Sequence, residues 1–206
     1  MPFAVVFCCL LFASQIGSAA ENDKLSMEKD TVQVAINTTF GPIVVALNVK
    51  QAPLSANNFL RYVDAHHFDN TTFYRTVTIE NDNGSPKIEV IQGGMDAETP
   101  PFPGIDHEST GVSRLRHVDG TISMARGDPG TASSDFFICI GDQPGLDAGA
   151  SRNPDKLGFA AFGQVIEGMD VVRRIHESSA VGASESEYTK GQMLNPRIAI
   201  ESIRRL

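Results

Sequence analysis

The chain has 206 residues, 41% of them apolar and 20% charged, which is enough for one well-buried domain and unlike a disordered or collagen-like composition. Its formal net charge is -8 and no run of Lys or Arg occurs, so the positive footprint that neutralises nucleic-acid phosphates is missing and nucleic acid is excluded as an expected partner. Beyond the first 20 residues the only thiol is Cys139, so the fold has to be held by its core without an intramolecular disulfide.

Residues 1–20 carry no charged side chain and run apolar from Phe3 to Phe12, with Cys8 and Cys9 inside the run. Ser18 and Ala20 then satisfy the small-x-small rule for cleavage before Glu21, which marks 1–20 as a signal peptide even though no basic residue precedes the apolar stretch. The stretch is too short to span a bilayer, so a periplasmic or secreted protein with no stable membrane association after processing is expected. Residues 21–31 form an acidic lead-in, and the domain proper runs over 32–206.

Val32, Val34 and Ile36 alternate with polar or small neighbours, and a second apolar run, Ile43 to Leu47, follows across Thr38 to Pro42; this predicts a β-hairpin. The period then changes: Pro53 suits a first helical turn, and Ala56, Phe59, Leu60 and Val63 recur at helical spacing, predicting a helix over 53–65. Short strands are expected at 72–77, 88–92, 121–125, 136–140, 161–165 and 198–203, separated by Gly, Pro, Asn and Asp. Met169, Val172 and Ile175 predict a second helix, with Arg173, Arg174 and His176 in its last turn, where cations favour the helix dipole. Many short strands and two helices point to a mainly antiparallel sheet closed into a barrel, with helices covering its ends. Two long loops, 78–87 and 96–119, are expected to lack regular structure.

Several chemistries find no support. Counting back from Gly84 as position six of a calcium loop places Ile79 and Val90 where carboxylates belong. His66 and His67 are adjacent and no two histidines stand three or four apart, so no zinc-ligand pair exists. No phosphate-binding glycine loop and no Gly-x-Ser-x-Gly elbow occurs. Asn37-Thr38-Thr39 and Asn70-Thr71-Thr72 match a glycosylation pattern too short to carry weight, and Cys139, in an apolar run, reads as an inert core thiol.

What remains is an ordered series: Thr72-Phe73-Tyr74-Arg75, Val90-Ile91-Gln92-Gly93-Gly94, Gly120 to Ala125, Ser133 to Ile138, Leu146-Asp147 and Phe159 to Gly163. Over about 32–206 the series resembles the cyclophilin family, whose fold is a closed eight-stranded antiparallel β-barrel capped by two α-helices. The resemblance implies a peptidyl-prolyl cis/trans isomerase, working without metal or cofactor on proline-containing polypeptides and assisting their folding, most simply as a monomer. By the same resemblance Arg75 is the catalytic arginine and Gln92 its orienting neighbour. Phe137 is the floor of the proline pocket, Leu146 and Val90 are walls, and Ala125 with Arg126 is the edge that contacts the peptide backbone. Three positions depart from the common pattern: Glu89 stands for an aromatic, Asp135 for a glutamine and Phe159 for a histidine or another aromatic. If Glu89 and Asp135 weaken the pocket, the alternative is a proline-segment-binding module or holding chaperone with little turnover.

Overall fold

The computed structural model describes residues 30–206; the signal-peptide reading and most of the acidic lead-in lie outside the described residues. Strands β1 (Thr31–Thr38) and β2 (Gly41–Asn48) form the expected hairpin, paired from Thr31 with Asn48 to Thr38 with Gly41. Helix α1 (Pro53–Asp64) follows, beginning on the proline whose missing N–H a first turn does not need. Then come β3 (Thr71–Val77), β4 (Val90–Gly94), a single helical turn α2 (Thr110–Ser113), β5 (Thr121–Met124), β6 (Phe136–Cys139), β7 (Ala160–Glu167), α3 (Met169–His176) and β8 (Met193–Arg205). The strands close into an antiparallel barrel in the order β1-β2-β7-β5-β6-β4-β3-β8, so no sheet edge is left unpaired.

The barrel is filled by one apolar cluster in which α1 delivers Phe59 onto Phe68, Phe136 and Phe162, with ring centroids 4.9, 5.3 and 5.4 Å apart. Phe73 meets the same Phe136 ring edge-on at 5.8 Å. A second, smaller cluster of Val77, Ile88, Val90, Phe137, Cys139 and Leu146 lies on the other side of the β3-β4-β6 wall. Strand alternation accounts for the division: Phe136 and Ile138 belong to the first cluster, Phe137 and Cys139 to the second.

Two expectations need correction. The last strand starts at Met193 rather than Ile198, because β3 pairs Phe73 with Ile198 but Arg75 with Met193, and the intervening residues of β8, which include Pro196, bulge out of the ladder. The long 96–119 loop is not featureless either. It contains α2, and its buried Glu108 accepts the backbone N–H groups of Leu54 (3.2 Å) and Ser55 (3.0 Å), capping α1 from a distance that no local motif could reveal.

Candidate active site

The site grows from an irregularity in β3. Phe73 faces the barrel interior, and unbroken alternation would send Arg75 there too. The register slips between Phe73 and Arg75, however, and the slip turns Arg75 and Val77 to the outer face, where Val77 joins the second cluster. On β4 the partner of Arg75 is Gln92, whose Oε1 accepts from Arg75 Nη1 at 2.8 Å while its Nε2 donates to the Tyr74 hydroxyl at 2.7 Å.

Arg75 heads a small cavity of about 110 Å³, well below the several hundred Å³ of drug-sized pockets and suited to a single ring. Val90, Ala125, Phe137, Leu146 and Phe159, which the resemblance assigns to substrate binding, line it. Phe137 is the floor: Phe159 stands edge-on to it at 5.3 Å, and His117 stacks beneath it at 5.9 Å and 15°. Arg126 also lines the cavity, but its guanidinium is engaged by the Gly158 carbonyl (2.6 and 3.0 Å) and by Asp155 (2.9 and 3.1 Å), so it fastens the loop that carries Phe159.

Glu89 and Asp135 are not among the lining residues. Glu89 is one residue out of phase with Val90, and its carboxylate lies 3.9 Å from His176. The apolar wall expected at that position is supplied by its neighbour Ile88. Asp135 accepts the backbone N–H of Asp96 at 3.0 Å, and its burial pushes its carboxyl above the usual range. The ground for a weakened pocket therefore falls away.

Sequence reading missed four contributors. Gln192, wholly buried, accepts from Arg75 Nε and Nη2 at 2.9 and 2.6 Å and donates to the Asn81 carbonyl at 2.8 Å. Arg152 and Tyr188 line the cavity from two separate loops, and Asp82 pairs with Arg152 at 2.7 and 2.8 Å. These residues come from irregular segments with no period to expose them. Gly145 has a visible role beside them: a Cβ there would lie 2.6 Å from Pro86 Cγ, so only glycine lets the 78–88 loop close against the turn that presents Leu146.

The Arg75 guanidinium is held by two amide oxygens and, among the described residues, by no carboxylate within hydrogen-bonding range, so it is fixed in place without being neutralised. Burial lowers its pKa, yet an arginine stays protonated at any physiological pH. Beneath the floor, His117 bridges Asp147 Oδ1 and Ser123 Oγ, each at 2.9 Å, which has the connectivity of a hydrolytic triad. Ser123 is completely buried, so no acyl donor can reach it, and the chain of hydrogen bonds serves to fix the plate on which Phe137 rests.

Residues 31–204 match the family model described as cyclophilin type peptidyl-prolyl cis-trans isomerase. A peptidyl-prolyl cis-trans isomerase of Streptomyces antibioticus is 36% identical over 148 residues, covering 69% of this chain and 81% of that protein. Peptidyl-prolyl cis-trans isomerase A of Dickeya dadantii is 32% identical over 151 residues, covering 71% of this chain and 72% of its own length. Among solved structures, a cyclophilin type peptidyl-prolyl cis-trans isomerase of Cryptosporidium parvum, crystallised in the presence of the dipeptide ala-pro, superposes with a TM-score of 0.63 at 21% identity. It covers 84% of this chain and 98% of that one.

Proposed function

The chain belongs to the cyclophilin-type peptidyl-prolyl cis-trans isomerases, and from that membership we propose that it isomerises Xaa-Pro bonds at the Arg75 cavity, with Arg75 as the catalytic residue. The observation that carries this reading is a desolvated, permanently charged guanidinium held by two glutamines at the rim of an apolar, ring-sized cavity.

The reaction makes and breaks no bond. Rotation about Xaa-Pro is slow because it breaks amide resonance, with a barrier of about 18–20 kcal/mol. As the bond twists, the prolyl nitrogen regains a localised lone pair and becomes a hydrogen-bond acceptor, which it is not in either planar form. A donor aimed at that nitrogen therefore binds the transition state better than substrate or product. Three of the five Arg75 N–H groups are engaged by Gln92 and Gln192, which leaves donor capacity for the substrate. The pyrrolidine ring packs on Phe137 between Val90, Leu146 and Phe159, excluding water and so strengthening the charged interaction.

Exchange NMR on an Ala-Pro peptide with catalytic amounts of the protein tests this directly. Exchange cross-peaks that appear with the wild type and are largely lost with Arg75→Ala are the expected result; equal exchange from both overturns the assignment of Arg75.

The setting of this activity is a further part of the proposal: the protein acts after export, in a periplasm or outside the cell, where it assists folding of proline-containing chains. The uncharged apolar stretch of residues 1–20 and the small-x-small site before Glu21 support it. Mass spectrometry of the protein recovered from its native host should find Glu21 as the first residue; an intact Met1 would reject export by cleavage.

A further inference from the structure

Tyr188 belongs to neither apolar cluster and is 49% exposed, yet it is held from three directions. Its hydroxyl accepts from Arg152 Nη2 at 2.8 Å, its carbonyl accepts from Asn83 Nδ2 at 3.2 Å, and its ring lies 5.5 Å from the Arg75 guanidinium and 5.7 Å from that of Arg152. Arg152 is itself immobilised. Asp82 takes both of its terminal nitrogens, and the Pro86 carbonyl takes Nη1 at 2.7 Å. The ion pair is almost entirely removed from water, with side-chain exposures of 2% and 0%.

A buried Asp-Arg pair is costly to assemble and is a weak source of stability, so its presence calls for something that it positions. What it positions here is an aromatic ring at the mouth of the cavity. A large aromatic fixed at the surface, contributing to no core and still half exposed, is poised for contact with a ligand. The cavity has room for one ring, so whatever flanks the proline has to cross the rim, where Tyr188 stands.

We propose that Tyr188 is a specificity-determining residue, presenting an aromatic platform that favours substrates with an aromatic or large apolar side chain next to the proline, and that Arg152 and Asp82 are its positioning residues. The inference rests on the Arg75 cavity being the isomerase site. It adds a contact at the rim of the proline pocket, made by one of the two residues flanking the proline.

The test compares kcat and KM of wild type, Tyr188→Ala, Tyr188→Phe and Arg75→Ala on two peptide series, one varying the residue before proline and one the residue after it between Ala, Phe and Glu. In one series, Tyr188→Ala should reduce the kcat/KM ratio of the Phe peptide to the Ala peptide by about threefold to tenfold, mainly through KM, as expected for loss of an aromatic pair. Tyr188→Phe, which keeps the ring but loses the tether to Arg152, should restore only part of that preference; full restoration would overturn Arg152 and Asp82 as its positioning residues. An unchanged ratio in both series, or an equal fall for every peptide, would overturn the proposal. Arg75→Ala keeps the two questions apart: if it retains wild-type efficiency, the location of the site is at fault rather than the role of Tyr188.

Discussion

Gln192 Oε1 receives two N–H groups of Arg75, Nε at 2.9 Å and Nη2 at 2.6 Å, and does so from the first residues before β8, 117 positions away in the chain. The amide gives the guanidinium a fixed direction while leaving its charge intact. Its own Nε2 is spent on the Asn81 carbonyl, so the side chain cannot flip without losing both sets of bonds.

Gln192→Leu should lower kcat by roughly 10- to 100-fold with a smaller change in KM, since loss of hydrogen bonds to a charged group is worth about 1.5–3 kcal/mol. Gln192→Glu should not rescue it. A carboxylate would still accept from Arg75 but would lose the donor to Asn81 and partly neutralise the charge that the twisted amide needs. Steady-state isomerisation with kcat and KM resolved checks both variants.

Arg75→Lys should be nearly as damaging as Arg75→Ala, which we expect to cost about 10²–10³ in kcat/KM. A lysine ammonium is a point charge on a flexible stem and cannot keep the Gln92 and Gln192 bonds while pointing a third donor into the cavity. Thermal unfolding of the two variants, measured beside the kinetics, separates loss of catalysis from loss of fold.

Acid should act on two carboxylates in opposite senses. Burial alone would raise the Asp82 pKa, but hydrogen bonds from Arg152 and from the N–H groups of Gly84 and Ile88 hold it below the usual carboxylate range. Its contribution to stability is therefore full above the ordinary carboxylate pKa of about 3.9 and is lost as pH falls through the lower folded value. Asp135, raised by burial, contributes the other way: its stabilisation is present in acid and lost as pH rises through its folded pKa. Urea midpoints at a series of pH values should show Asp82→Asn destabilised by about 3–5 kcal/mol at neutral pH, as for other broken buried pairs, with the gap closing in acid. Asp135→Asn should be more stable than wild type at neutral pH, its advantage shrinking toward pH 3.

Cys139 is wholly buried, and burial pushes its thiol well above the usual range. A thiol-specific reagent should leave it untouched in the native protein and label it at the rate of global unfolding. Fast labelling under native conditions would mean that the wall between β4 and β6 opens locally.

Much of this was legible in the sequence. Alternation and helical spacing place the strands and both main helices, and because strands alternate, Val90 and Gln92 or Phe136 and Phe137 can be assigned to faces before any coordinates are seen. The failures share one cause. By the resemblance Glu89 stands at the position of an aromatic pocket residue, but it follows the irregular 78–88 loop, where a shift of one residue exchanges faces, and Ile88 lines the cavity instead. Gln192, Tyr188 and Arg152 lie in turns that carry no periodicity, and their meeting depends on how three loops fold over one another. Glu108 capping α1 is long-range in the same way: the residues before Pro53 contain no capping side chain, so the sequence around the helix holds no sign of where the cap comes from.

Phe136 and Phe137 are neighbours in the chain, but one is packed in the middle of the barrel and the other lines the Arg75 cavity, so the partition between the barrel interior and the proposed proline pocket is a single strand thick. Among the described residues the cavity floor and the barrel core therefore share one strand and cannot fail separately. On heating, the floor of the cavity should persist until the barrel itself gives way, and activity and tertiary structure should disappear in one transition, with no inactive but folded form in between.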